Sequence, residues 1–348
     1  MVKVAINGFG RIGRLAFRVG LLKYSDKIEL VAINTSGSMN ISGWAHLAKY
    51  DTMYGRFEKE IKTEEVSDKD PLIGYFLVDG KKIAVLAQRD PEKIPWKEYG
   101  VEIVIESTGA FNKEEDAKKH LAAGAKKVVI SAPGKGGSIK TYILGVNKYE
   151  GEGEILSNAS CTTNCTAPVA AVLQAKFGIE KAAITTIHAY TDGQRLLDNS
   201  HKDLRRARAA ALNIVPTTTG AAISTTETIP ELKGLFDGRA VRVPIATGSL
   251  TDFALVLKKN VTVEEVNQAF IEASENPLYK GILGVTNEPL VSSDIVGTSE
   301  SAIVDLSLTQ VVGGNLVKVF AWYDNEWGYS HRLIEQVIAV GETLKPNA

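Results

Sequence analysis

The sequence predicts an α/β protein: a doubly wound parallel-sheet domain, followed by an α+β domain with a mixed, largely antiparallel sheet. Three observations carry this. Over the first third, short apolar runs alternate with helical stretches; the first run leads straight into a glycine-rich turn; and past residues 157–164 the strands lengthen and alternate. In order, residues 2–7, 28–34, 101–107 and 127–131 read as strands, several with Gly-rich or polar exits. Residues 154–157 read as a strand leading to a helix over 167–177, with Pro168 near its beginning. Strands follow over 182–189, 239–246 and 249–258. Between them, 191–211 is weakly periodic, contains Leu204-Arg205-Arg206-Ala207-Arg208 and reads as a long ordered loop. Residues 329–344 place Leu333, Ile334, Val337, Ile338 and Val340 at near-helical spacing.

With 348 residues, 44% hydrophobic and 23% charged, the chain is long enough for two cores and ordinary for a globular protein. The expected split is a first domain over 1–160 and a catalytic domain over 161–324. Lys and Arg total 40 against 41 Asp and Glu, so no nucleic-acid or anionic-membrane partner is expected, and any bound anion must be held locally. The longest uncharged stretch, 155–175, holds Ser157, Asn158, Ser160, Thr162, Thr163 and Asn164, too polar for a bilayer core. Strand-like sequence from Met1 onward lacks the pattern of a secretory signal, which makes the cytoplasm the expected location. The two cysteines, Cys161 and Cys165, are four apart, a spacing that builds no disulfide framework; a metal site would need two further ligands, so none is expected.

Gly8-Phe9-Gly10-Arg11-Ile12-Gly13 follows an apolar strand and opens a helix, the context in which a G-x-G-x-x-G pattern marks a dinucleotide site. Gly8 permits the tight turn, Gly10 lets a pyrophosphate approach the backbone, and Gly13 allows close helix–strand packing, while the helix start favours the phosphates. An acid at the end of the second strand, which would hold the ribose hydroxyls, is absent; Asn34-Thr35-Ser36 stands there. Without a carboxylate to repel it, a 2′-phosphate can be accommodated, with Thr35 and Ser36 as donors, so NADP acceptance is expected beside NAD.

Ser160-Cys161-Thr162-Thr163-Asn164-Cys165 places Cys161 at or before the first turn of a helix, where the dipole stabilises a thiolate and backbone N–H groups can hold an oxyanion. Cys165, about a turn deeper, reads as packing. His188 ends the β-branched run Ile184-Thr185-Thr186-Ile187, at a strand terminus where α/β sites gather; it could lower the thiolate pKa and act as acid or base. His46, His120, His201 and His331 lack such a run and read as surface or packing residues.

Asn7-Gly8-Phe9-Gly10-Arg11-Ile12-Gly13-Arg14, Ser160-Cys161-Thr162-Thr163-Asn164-Cys165, Thr186-Ile187-His188-Ala189-Tyr190-Thr191 and Trp322-Tyr323-Asp324-Asn325-Glu326-Trp327-Gly328-Tyr329 together resemble the phosphorylating glyceraldehyde-3-phosphate dehydrogenases, end to end. The resemblance implies a dinucleotide-binding domain completed by the C-terminal helix, 325–348, a catalytic domain and a homotetramer. It implies oxidation of glyceraldehyde 3-phosphate to 1,3-bisphosphoglycerate, with Cys161 as nucleophile, His188 as its activator, and inorganic phosphate cleaving the thioester. Thr191, Arg206 and Arg242 resemble the substrate-phosphate set, with Arg205 and Arg208 as alternatives to Arg206. Ser160, Thr162, Thr219 and Gly220 resemble the attacking-phosphate set.

For the cofactor, the resemblance adds Asn7, Arg11 and Ile12 with the glycines, Arg89 near the adenine, Ser107, Thr108 and Ser131 along the nicotinamide half, and Asn325 at the carboxamide. Where NAD-specific members carry Asp after Asn34, this chain has Thr35, and Ser200 matches a serine that helps NADP-accepting members from a neighbouring subunit. A second departure is Asp192-Gly193 after Thr191, where the common order puts the acid second. Two alternatives stay open: erythrose-4-phosphate dehydrogenase, which passes the acyl group to water, and a non-catalytic nucleotide- or RNA-binding scaffold.

Overall fold

The computed structural model describes residues 1–344. The chain forms two units: Met1–Tyr142 with Tyr149–Ala159 and the segment from Ser330 onward, and Ile143–Lys148 with Ser160–Tyr329. These bounds differ from 1–160, 161–324 and 325–348 in that Ser160, 143–148 and 325–329 go with the second unit. The excursion at 143–148 follows from packing: Val146 lies against the second unit's core, and Gly145 sits against Tyr279 and Ile282. Residues 345–348 of the expected C-terminal helix lie outside the described residues.

The first unit is built on a nine-stranded sheet in the order Lys140–Thr141, Ile155–Ser157, Lys127–Ile130, Ile103–Glu106, Val2–Asn7, Ile28–Asn34, Lys81–Leu86, Leu72–Val78, Lys62–Lys69. The strands from 140–141 through 81–86 are parallel, and 72–78 and 62–69 are added to them by antiparallel pairing. Val4, Ala5, Ile6, Val104 and Ile105 are fully buried, as parallel strands covered on both faces require. Val2–Asn7 pairs with Ile28–Asn34 on one side and Ile103–Glu106 on the other, so the strand order reverses there and the crevice for a ligand opens at the strands' C-terminal ends. The helix Trp327–Glu342 extends into this unit: Ile334 reaches Gly20, Gly341 lies against Val2, and the Tyr24 hydroxyl donates to Glu335 at 2.5 Å.

The second unit's sheet runs Val215–Thr218, Phe236–Val243, Ile179–Ala189, Ser249–Leu257, Leu316–Tyr323, Ala302–Asp305, Leu283–Thr286 and is mixed, with antiparallel pairs predominating. The strand expected at 239–246 lies at Phe236–Val243 instead. Gly238 hides its start from propensity reasoning; a Cβ there would come within 2.3 Å of the Ile184 side chain, so close packing requires the glycine. The helix expected at 167–177 begins six residues earlier, at Cys161. Pro168 is inside it rather than in its first turn, tolerated because this helix is buried from Thr162 through Ala170 and packing outweighs the lost hydrogen bond.

Candidate active site

Ser160 caps the helix Cys161–Phe177: its side chain accepts from the Thr163 N–H at 3.0 Å and contacts the Thr163 hydroxyl at 2.8 Å. The cap places Cys161 at the first helical position. His188 lies near the end of Ile179–Ala189, and its Nε2 stands 3.3 Å from Cys161 Sγ. On the adjoining parallel strand, Arg242 is in register with His188, so both side chains leave the same face. Arg242 Nη1 contacts His188 Nδ1 and donates to the Ala189 carbonyl at 2.9 Å; Nδ1 lies 2.7 Å from that carbonyl. In the tautomer whose Nδ1–H donates to the Ala189 carbonyl, Nε2 is the acceptor that faces the thiol.

Burial, followed by the Arg242 and Arg206 cations, pushes His188 down to about 3. Burial also pushes the Cys161 thiol up, against the pull of Arg242 and of hydrogen bonds from Thr162. Burial thus favours the neutral form of each group, and Arg242 pulls the thiol the other way. Tyr323 closes the other side. Its hydroxyl bridges Thr162 at 3.0 Å and Thr186 at 2.7 Å, and its ring meets His188 edge-on at 5.9 Å.

Arg242 Nε is buried without a hydrogen-bond partner, a donor that a bound anion would satisfy. Arg206 joins it from the long loop. Asp203 Oδ1 accepts from the Arg205 and Arg206 N–H groups, Asp203 Oδ2 from the Thr217 hydroxyl at 2.7 Å, and Arg206 Nε donates to Thr217 at 2.9 Å. A Cβ at Gly193 would lie 3.4 Å from Thr191 Oγ1 and 3.9 Å from Arg206 Nη1, so Thr191 and Arg206 share one corner. Arg208 is turned away to Asp198. Thr219 accepts from the Ala221 N–H, and Gly220 precedes the helix Ala221–Thr228 with open space where a Cβ would point.

In the first unit, Gly8 has φ 96°, and a Cβ there would lie 2.6 Å from Thr108 N; a Cβ on Gly13 would lie 2.0 Å from the Gly8 carbonyl. A Cβ on Gly10 would meet nothing within 4 Å. The turn is thus closed on the protein side and open where a pyrophosphate would lie, before the uncapped start of the helix Arg11–Lys23, so the residues present fit a dinucleotide.

Two family patterns cover most of the chain. Residues 2–114 match the glyceraldehyde 3-phosphate dehydrogenase NAD binding domain and residues 160–325 its C-terminal domain. The chain belongs to the glyceraldehyde 3-phosphate dehydrogenase family. It is 53% identical to the glyceraldehyde-3-phosphate dehydrogenase of Streptomyces coelicolor over 99% of both chains. It is 50% identical to glyceraldehyde-3-phosphate dehydrogenase 2 of Bacillus subtilis, over 99% of this chain and 98% of the relative. To the chloroplastic glyceraldehyde-3-phosphate dehydrogenase B of Pisum sativum it is 51% identical, over 96% of this chain and 73% of the relative.

Within this family frame, several residues expected at the cofactor have their side chains engaged elsewhere. The Thr35 hydroxyl is buried and donates to the Leu86 carbonyl at 2.9 Å, away from where a 2′-phosphate donor was expected. Ser36 is exposed and shares its hydroxyl with Ser38. Both Thr108 donors go to Glu106, and the Ser107 hydroxyl goes to the Gly8 carbonyl at 2.7 Å. The Arg11 guanidinium pairs with Asp51 at 2.5 Å. Ile12 is half-buried beside it; Arg89 and Ser200 are exposed, and the Ser131 N–H bonds the Glu106 carbonyl. Asn7 and Asn34 are buried and bonded to each other. In the second unit, Asn325 Oδ1 accepts from the Gly248 N–H and the Ser249 hydroxyl, which turns its NH2 outward from that pair. Sequence reasoning gave no site role to Tyr323, Asp203, Thr217, Glu106 or His120, although Tyr323 lies in a family motif and His120 was read as surface or packing; the partners of Tyr323, Glu106 and His120 lie far along the chain.

Proposed function

We infer that the protein carries out phosphorylating oxidation of glyceraldehyde 3-phosphate to 1,3-bisphosphoglycerate with NAD or NADP, and the observation that carries this is the Cys161–His188–Arg242 cluster. His188 Nε2 takes the thiol proton as Cys161 Sγ adds to the aldehyde carbon, giving a thiohemiacetal. Thr191, Arg206 and Arg242 hold the substrate's phosphate, and its negative charge offsets the two cations that, after burial, hold His188 down. Substrate arrival thereby raises the imidazole's proton affinity when a base is needed. The dinucleotide, held by the glycine turn over Gly8, Gly10 and Gly13 with the Arg11 and Ile12 N–H groups, supplies the hydride acceptor. Asn325 offers its NH2 to the nicotinamide carboxamide. The acyl group then stands as a thioester on Cys161, and inorganic phosphate, received by Ser160, Thr162, Thr219 and Gly220, displaces the thiolate. His188 returns the proton to sulfur, and the proton of the attacking hydrogen phosphate leaves to solvent, the one proton released in the oxidation.

Exposed Leu196, Leu197, Leu204, Leu212 and Ile214 on and beside the long loop support association with further copies, the homotetramer that the resemblance implies. Light scattering at micromolar concentration should return four times the 37.5 kDa chain mass. The deciding assay compares kcat/KM for NADP and NAD at saturating aldehyde, with and without inorganic phosphate. Reduced cofactor forming only with phosphate supports the reading; equal rates without phosphate transfer the protein to a hydrolytic relative, and no reduction overturns it.

A further inference from the structure

A line of polar side chains crosses beneath the crevice of the first unit, joining the C-terminal ends of three adjacent strands. Asn34 ends one, Asn7 the next and Glu106 the third; His120, on the helix Glu114–Ala122, and Trp96 complete it. All five are buried. Asn34 Nδ2 donates to the Gln88 carbonyl at 2.8 Å, and Asn34 Oδ1 accepts from the Gln88 N–H at 2.9 Å, so a backbone pair fixes which way this amide faces. Asn34 Nδ2 therefore donates to Asn7 Oδ1 at 2.7 Å, which turns Asn7 Nδ2 onto Glu106 Oε2 at 2.6 Å. From the other end, the Trp96 indole can only donate, and it donates to His120 Nδ1 at 3.0 Å; His120 Nε2 thus carries a proton and donates to Glu106 Oε2 at 3.0 Å.

Both arms of the line end on Glu106. Its other oxygen accepts from the Thr108 N–H at 2.8 Å and from the Thr108 hydroxyl. Every group facing this carboxylate is a donor, so an acceptor-only side chain is the only one that satisfies the site. Thr108, so held, is the backbone against which Gly8 packs, and Ser107 ties down the Gly8 carbonyl. At the far end, Asn34 fixes Gln88 and precedes the Thr35-Ser36 turn.

We propose that Glu106, oriented by His120, is a positioning residue for the dinucleotide: it locks the strand-end turns bordering the crevice, at Gly8, Asn34 and Thr108, into the cofactor-binding geometry. This rests on the dinucleotide-dependent reading above. The test uses three variants of the full chain. Glu106→Gln places an NH2 against a donor whichever way it faces. His120→Leu removes the donor to Glu106, and His120→Gln keeps it, since an amide can accept from Trp96 while donating to Glu106. Calorimetric titration with NAD and NADP should give a Kd raised by about tenfold or more in Glu106→Gln and His120→Leu, the scale of one buried donor left unmet, and within about threefold of the unaltered protein in His120→Gln. The aldehyde KM and the alkylation rate of Cys161 in cofactor-free protein should stay unchanged. Unaltered Kd in Glu106→Gln and His120→Leu with only a lowered Tm would overturn the proposal, as would His120→Gln binding as weakly as His120→Leu, or binding and alkylation falling together. Should His120→Leu not fold, Glu106→Gln and His120→Gln decide the matter alone. Failure of the unaltered protein to bind either dinucleotide would instead sink the functional reading.

Discussion

His188 is the residue on which the chemistry turns, because it faces a proton donor on one ring nitrogen and a carbonyl with an arginine on the other. Replacing it by Asn removes the acceptor for the thiol proton, and kcat should fall by about 10²- to 10⁴-fold, while calorimetric NAD affinity stays unchanged. Arg206 is the loop arginine that the structure turns toward Thr217 and Thr191, whereas Arg208 faces Asp198. Arg206→Leu should raise the KM for glyceraldehyde 3-phosphate by roughly 10- to 100-fold, the loss of one charge-assisted contact; Arg205→Leu should leave it within about threefold. Equal effects of the two in steady-state assays would remove Arg206 from the phosphate site. The sequence offered three arginines in one basic run and no means of choosing, because the choice depends on Asp203 folding its carboxylate over the Arg206 backbone and the Thr217 hydroxyl.

Among elements, the helix Cys161–Phe177 joins stability to function. Its Ser160 cap sets where the first turn begins, and Ser160→Ala should cost about 1 kcal/mol in urea-unfolding stability. A loss indistinguishable from zero would mean that burial, not capping, fixes the helix start. The start was misread from sequence because Pro168 resembles a first-turn proline, and local rules cannot anticipate how far a buried helix will tolerate one. The strand Val2–Asn7 with its glycine turn was legible throughout, since periodicity, position and glycine spacing agree.

For the whole molecule, two buried histidines set a pH dependence. Burial, then Arg332 and Lys23, holds His331 down to about 4, and His188 is held down to about 3. Unfolded histidine titrates near ~6.5, so as pH falls from there toward these lowered values the unfolded chain binds protons that the folded chain refuses. Stability should therefore drop as pH falls through that window, read as a falling Tm in scans between pH 7 and 4. His331→Gln should flatten the drop, and an unchanged slope in that variant would exclude His331 as a contributor.

Sequence alone determined the alternating architecture of the first unit and the dinucleotide turn, because each is written in short-range spacing that chain sterics and hydrophobic periodicity translate directly; the Cys161 and His188 pairing followed from the resemblance of their motifs to the family. Tertiary structure decided what those residues face. Thr35 was read as a 2′-phosphate donor and Thr108 was placed along the nicotinamide half, yet their hydroxyls point to Leu86 and Glu106; Glu106 carried no signal, and Tyr323, though inside a family motif, had no role until the fold set it against Thr162 and Thr186. Asn7 and Glu106 stand 99 positions apart, Thr162 and Tyr323 161 apart. A buried hydrogen bond of that span is fixed only when packed strands bring its ends together, and a polar group left unpaired there is costly enough that the fold, not the local sequence, selects its partner.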